Sequence, residues 1–234
     1  MSLQAVAETS LQGLQALLLA RLGAQGWWPA ESAEEMVIGA VLTQAVAWRN
    51  AARAIEALRG AGLLSLAALA AVDPARLAPL IRPAGYFNVK ARRLQALARH
   101  IVAAGGLPVL AAQGAAQARR GLLAVDGVGA ETADAILCYA LGHPALVADA
   151  YLRRVLSRAG LLGAAAAGSY EGALAALRPA LPPGADAAWL GELHALLVAV
   201  GKDWCHRRRP QCADCPAAGV CAYARHAAAA ARAD

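Results

Sequence analysis

The sequence predicts an all-α protein. Apolar residues recur at three- and four-residue intervals along most of the chain, no segment alternates as a half-buried strand would, and proline and glycine punctuate the periodic runs. The first helix carries Leu11, Leu14, Leu18 and Leu22 on one stripe and ends at Gly23 and Gly26. Ser32 reads as the N-cap of the second, with Glu35 at the capping-box position and Met36, Val37, Ala40 and Val41 facing inward. Helices over 46–60, 64–71, 74–80, 88–104, 107–112 and 116–123 follow, separated by Pro74, Pro79, Pro83 and the Gly105-Gly106 pair. A further helix runs from Gly129 to about Leu141, and Asp149 opens one that reaches about Ala159. Alanine-rich stretches over 171–178 and 187–200 add two more, parted by Pro182-Pro183-Gly184. The tail after Arg225 is mostly alanine and is expected to fray. No internal repeat of fixed period is present.

Composition narrows the function. A chain of 234 residues with 59% hydrophobic content can fill one or two cores. Its longest apolar stretch, Gly62 to Val72, is far shorter than the roughly 20 residues a membrane span needs, so a soluble protein with no membrane partner is expected. The opening residues, MSLQAVAETSLQGL, lack a basic run before an apolar core, which makes a reduced cytoplasm the expected compartment. A net charge of +6 and a pI of 9.4 suit a polyanionic partner. Only Lys90 and Lys202 among the 22 basic residues are lysines.

Four of the five cysteines crowd one stretch, Cys205-x6-Cys212-x2-Cys215-x5-Cys221. Thiolates are soft, charged donors, and four so close can wrap one metal centre, whereas a disulfide knot needs an oxidising compartment. Metal binding is favoured, and spacing alone leaves zinc and iron-sulfur equally open. Cys138 lies on an apolar helix and reads as a buried thiol. The five histidines form no metal-ligand spacing.

The segment Leu122-Leu123-Ala124-Val125-Asp126-Gly127-Val128-Gly129-Ala130-Glu131-Thr132-Ala133 reads as helix, glycine hairpin, helix. Gly127 and Gly129 leave no side chain in the way of a phosphate approaching the amides that open the second helix, with Val128 between them. On its own such a G-V-G is as well explained by a tight turn between packed helices.

Context changes that weighing. The segment resembles the helix-hairpin-helix of the endonuclease III superfamily of DNA glycosylases, whose pattern continues through a Gly/Pro-containing loop to an aspartate opening the next helix, here Leu141-Gly142-His143-Pro144 through Asp149. The cysteine intervals match the same family's 4Fe-4S loop, with Pro210 and Pro216 where such loops carry proline. Gly39-Ala40-Val41-Leu42-Thr43-Gln44 and Gly85-Tyr86-Phe87-Asn88-Val89-Lys90-Ala91 are also similar, so the resemblance covers roughly residues 26 to 225. Gly26-Trp27-Trp28-Pro29, Trp48 and Glu131 through Tyr139 look most like the branch that includes 3-methyladenine glycosylases.

The resemblance implies two helical domains, a six-helix domain over 33–141 and a second built from 1–32 with 142–225, leaving 226–234 as a tail, with DNA across a cleft and Asp149 at its base. It implies a 4Fe-4S cluster on Cys205, Cys212, Cys215 and Cys221, and a monomer acting on double-stranded DNA with a damaged base, in association with a bacterial nucleoid. Asp149 matches the catalytic aspartate. Its plainer reading is a helix cap for Leu152, Val155 and Leu156. Gln44 resembles the residue that fills the gap left by a flipped base. Trp48, Tyr139 and Tyr151, with Tyr86, are candidates to stack on that base, although such aromatics are more often core. Arg207, Arg208 and Arg209 are expected to meet phosphates rather than form a merely solvated face, and Lys90 is placed with them as a DNA contact.

One position departs from the family. Where bifunctional members carry a lysine that attacks the sugar C1′, two residues after the second hairpin glycine, this chain has Glu131. A carboxylate cannot form an imine, so the lyase route is closed there. Glu131 is a first-turn acid by its plainer reading and, by its functional one, a carboxylate that favours cationic alkylated purines. The expectation is therefore a monofunctional glycosylase in base excision repair with alkylated purines as favoured substrate. The rivals are a DNA-binding protein of weak or no catalysis and a mismatch uracil/thymine glycosylase.

Overall fold

The computed structural model describes residues 10–230. Among them are fourteen α-helices and no strand. In chain order these are α1 (Leu11–Leu22), α2 (Ala33–Leu42), α3 (Trp48–Gly60), α4 (Leu66–Ala71), α5 (Pro74–Leu80), α6 (Phe87–Ala103), α7 (Leu107–Ala112), α8 (Ala115–Leu123), α9 (Ala130–Ala135), α10 (Ala150–Ala159), α11 (Ala164–Ala167), α12 (Tyr170–Leu177), α13 (Ala187–Asp203) and α14 (Ala222–Ala230). Local chemistry sets many of the starts: Ser10, Ser32, Ser65, Asp73, Asp149, Ser169 and Asp186 each accept an amide of the first turn on a side-chain oxygen.

The helices fall into two compact units, one spanning Trp28–Ala145 and the other made of the described residues up to Trp27 and from Leu146 onward. In the continuous unit α2 is buried from Glu35 to Leu42 and packs on α3, α6, α9 and the turn that follows α9. Its capping box closes only halfway. Ser32 Oγ accepts the Glu35 amide at 3.1 Å, but the Glu35 carboxylate accepts from the Glu31 amide and from the Arg59 guanidinium. In the split unit α13 plays the central part, packing on α1 and α10 with Leu190, Leu193, Leu196, Leu197 and Val200 inside.

Across the hairpin, Arg119 of α8 grips Asp134 of α9 with two parallel bonds, Nε to Oδ1 at 2.7 Å and Nη2 to Oδ2 at 3.0 Å. Asp134 is buried, so this fork is the polar fastening of the two helices.

One expectation needs correction. The helix read as running from Gly129 to Leu141 is α-helical only to Ala135; Ile136–Ala140 form a π-helical turn, closed by the Leu141 amide on the Ile136 carbonyl. Such turns insert one extra residue and re-aim the side chains they carry, here Cys138 and Tyr139. The tail expected to fray after Arg225 is helical through Ala230 as part of α14. Alanine is the strongest helix former, and Tyr223 anchors the helix by lying under the Arg158 guanidinium, 5.0 Å from ring centre to carbon. Residues 231–234 of that tail, and residues 1–9 on which the leader reading rests, lie outside the described residues. No helix among the described residues is long and apolar enough to cross a membrane.

Candidate functional site

Asp149 opens α10 at the end of a stretch whose Leu146, Val147 and Ala148 are buried. Its Oδ1 accepts the Leu152 amide at 2.7 Å, so the capping role is real. The other oxygen, Oδ2, lies 3.7 Å from Nε2 of His194 on α13, and only 15% of the Asp149 side chain is exposed. One oxygen is thus oriented by the backbone, while the other faces a buried imidazole at a distance beyond a direct hydrogen bond. His194 is a residue the sequence reading passed over. The only sequence signal is a polar side chain, two residues after Glu192, within the apolar run of α13, which does not say what it faces.

The hairpin of the continuous unit has the geometry its glycines require. Gly127 has φ 81°, and a Cβ there would run into the stem of Arg93. Gly129 caps α9 with nothing within 4 Å of where a Cβ would stand, which leaves open space before its amides. Glu131 sits exposed in the first turn of α9.

Gln44 is packed onto this hairpin. Its Nε2 donates to the Gly127 carbonyl at 3.1 Å and to Thr132 Oγ1 at 3.0 Å, while Oε1 accepts from Arg93 at 2.9 Å. Lys90 is the expected DNA contact that the fold withdraws. It lies inside α6, is only 2% exposed, and donates to the Leu42 and Ala84 carbonyls at 2.7 Å each. Burial, and then the nearby Arg93 charge, lower its pKa to about 8. An ammonium so enclosed cannot touch a phosphate.

The candidate stacking residues divide between the units. In the continuous unit Trp28 centres a cluster, edge-on to Trp48 at 5.6 Å and tilted against Tyr139 at 5.8 Å, with its indole on Gly39. Tyr139 owes its place to the π turn, and no period in the sequence signals Trp28 as the hub. Tyr151 belongs to the other unit, where its ring rests on Gly201 and under the Arg154 guanidinium, beside Lys202, His206 and Arg207 in an open pocket of about 380 Å³. So basic a lining suits an anion better than a cationic base.

Helix α10 also braces the cysteine loop. Arg154 donates to the Cys205 and Gly201 carbonyls at 2.8 Å, and Arg158 donates to Cys205 Sγ at 3.2 Å and to the His206 and Arg207 carbonyls. Cys205, Cys212, Cys215 and Cys221 are free of disulfides and partly buried. Desolvation, and then the neighbouring sulfurs, raise the Cys212 thiol; desolvation, eased by a backbone hydrogen bond at Ala217 but reinforced by the other three sulfurs, raises that of Cys215. Among the described residues no three His, Cys, Asp or Glu side chains are gathered as a site for a single metal ion. Arg207, Arg208 and Arg209 are exposed. Burial, and then the Asp134 charge, push the Cys138 thiol up to about 12.

Residues 38–179 match the family model described as HhH-GPD superfamily base excision DNA repair protein. A protein of Methanocaldococcus jannaschii assigned by name to the DNA repair glycosylases is 39% identical over 208 residues, which are 88% of this chain and 92% of that one. The structure of H. pylori 3-methyladenine DNA glycosylase bound to 1,N6-ethenoadenine superposes with a TM-score of 0.66 at 28% identity, covering 83% of this chain and 98% of the other. A non-covalent endonuclease III–DNA complex superposes with a TM-score of 0.76 at 21% identity over 95% of this chain and all of the other, a likeness of fold.

Proposed function

Because the chain belongs to the HhH-GPD superfamily of base excision DNA repair proteins, we propose that it is a monofunctional DNA glycosylase that extrudes a damaged base, foremost an alkylated purine, and hydrolyses its N-glycosidic bond. The observation that carries the substrate class is the cluster of Trp28, Trp48 and Tyr139. Electron-rich ring faces hold a cation more strongly than a neutral base of the same shape. Alkylation at purine N3 or N7 puts a positive charge on the base and makes it a good leaving group. The carboxylate of Glu131 favours the same charge.

In the reaction the C1′–N bond breaks with both electrons going to the base, which departs neutral. Water adds to the oxocarbenium carbon and gives its proton to Asp149, whose charge also steadies the cationic sugar. The amide of Leu152 holds the carboxylate in orientation, with the imidazole of His194 facing its other oxygen. Gln44 fills the vacated place in the stack by exchanging its bonds to Gly127, Thr132 and Arg93 for bonds to the duplex. The amides from Gly127 to Gly129, together with Arg207, Arg208 and Arg209, take phosphates.

Base release from methylated, deaminated and oxidised DNA, compared side by side, tests the reading. Free alkylpurine is the expected product, and borohydride is expected to trap no covalent adduct. Glu131 cannot form an imine, and the Lys90 nitrogen is buried and bonded to two carbonyls. A robust trapped adduct would overturn the monofunctional assignment, and release confined to uracil or thymine would replace the substrate.

The cysteine loop fits a 4Fe-4S cluster held by Cys205, Cys212, Cys215 and Cys221. Four unpaired soft donors come from one loop, uncompensated thiolates there repel one another, and a guanidinium hydrogen-bonds to one sulfur. When bound, such a cluster supplies a rigid centre for the loop that presents Arg207, Arg208 and Arg209. Anaerobically purified protein is expected to be yellow-brown, with broad absorption near about 400 nm from thiolate-to-iron charge transfer. Stoichiometric zinc without iron would exclude the cluster.

A further inference from the structure

Among the described residues only two that are not glycine have positive φ, Ala45 at 55° and Tyr86 at 45°. Each holds a left-handed conformation that costs a residue with a Cβ roughly 1 kcal/mol or more, and such costs persist only where the surroundings impose them. The surroundings here share one atom. Lys90 Nζ donates at 2.7 Å to the carbonyl of Leu42, at the end of α2 just ahead of Gln44 and Ala45, and at 2.7 Å to the carbonyl of Ala84, two residues before Tyr86.

Lysine is a costly way to tie two carbonyls, because an ammonium resists burial and no carboxylate bonds to this one. Both acceptors are carbonyls that end a helical turn, Leu42 that of α2 and Ala84 that of the 3-10 turn Arg82–Ala84, but capping alone does not require one nitrogen to serve both. What the two fastened turns carry is more telling. Tyr86 is 76% exposed, the most exposed of the large hydrophobic side chains among the described residues, and stands on the strained residue that opens α6. Gln44 stands beside the other strained residue. A wet aromatic ring gains nothing from folding, yet base–aromatic stacking is sequence-tolerant and favourable.

Resting on the glycosylase reading, we propose that Lys90 is a positioning residue for nucleotide extrusion: it ties the Gln44–Ala45 turn and the Tyr86 turn to one buried nitrogen, so that amide and ring enter the duplex as a pair of fixed spacing. Lys90 itself touches no DNA. Its work is finished before chemistry begins, and its loss is felt only where the duplex must be opened.

Single-turnover base release at saturating enzyme separates these steps, using one alkylated purine placed either in a paired duplex or in an unpaired bulge where extrusion is already done. Lys90→Met is expected to slow release from the paired duplex by about 10- to 100-fold, the scale of an ångström-level misplacement, and from the bulge by less than about 3-fold. Lys90→Arg, which keeps donors for both carbonyls, is expected to recover most of the rate. Equal losses on the two DNAs, or none on either, would overturn the proposal. Tyr86→Ala guards against a misfolded Lys90→Met, since so exposed a ring cannot hold the fold together; it must show the same split, and equal rates on the two DNAs would be decisive against it. Wild-type protein that releases no base from either DNA would bring down the glycosylase reading itself, a different outcome from an active enzyme indifferent to Lys90.

Discussion

Asp149→Asn is expected to cut base release about a thousandfold or more while leaving the protein folded and able to bind damaged DNA. The size follows from removing a charge that both steadies an oxocarbenium-like sugar and accepts the proton of water, each effect contributing about 10²-fold or more. The substitution is diagnostic because asparagine caps a helix as well as aspartate does, so the bond to the Leu152 amide survives. Asp149→Ala, by contrast, also removes the cap and costs about 1 kcal/mol of stability. Single-turnover release, binding to the same DNA and circular dichroism on the two variants distinguish the cases. An Asn variant that is folded and nearly as active as wild type would reduce Asp149 to a cap. Parallel measurements on Glu131→Gln are expected to show a smaller loss, greater on cationic than on neutral bases.

The second large effect concerns stability. Arg119→Ala leaves the Asp134 carboxylate buried without its fork, and breaking one side of a buried ion pair costs about 3–5 kcal/mol. For a chain of this size that lowers the thermal midpoint by roughly 6–20 °C. The pair joins α8 to α9, so the hairpin is expected to loosen first, which hydrogen exchange at 127–130 would register. Arg119→Met with Asp134→Leu removes both charges and is expected to recover most of the loss, since an apolar pair of similar volume often replaces a buried ion pair at little cost. A single variant that melts with wild type would show the bridge to be worth no more than a surface contact.

Much of the architecture was legible because it is decided within a few residues. Ser32 and Asp149 cap helices by bonding amides three positions ahead, and Gly127 turns the chain where a Cβ would meet Arg93. Such signals need no knowledge of the rest of the fold. The expectations that failed depended on it. Lys90 reads as a surface cation, yet it is buried because two carbonyls far apart in sequence converge on its nitrogen.

The local chemistry of the sequence thus determined an all-helical chain, most of its helix starts, the glycine hairpin and the capping of α10 by Asp149, because each is an interaction between a backbone amide or a missing side chain and its near neighbours. Only the tertiary structure decided that His194 faces that aspartate, that Gln44 rests on the hairpin, that a π turn carries Tyr139 to Trp28, and that Arg154 and Arg158 grip the cysteine loop. Those pairs are brought together by packing between helices, and a side chain's own residue type says what it can bond but not what the fold will set in front of it.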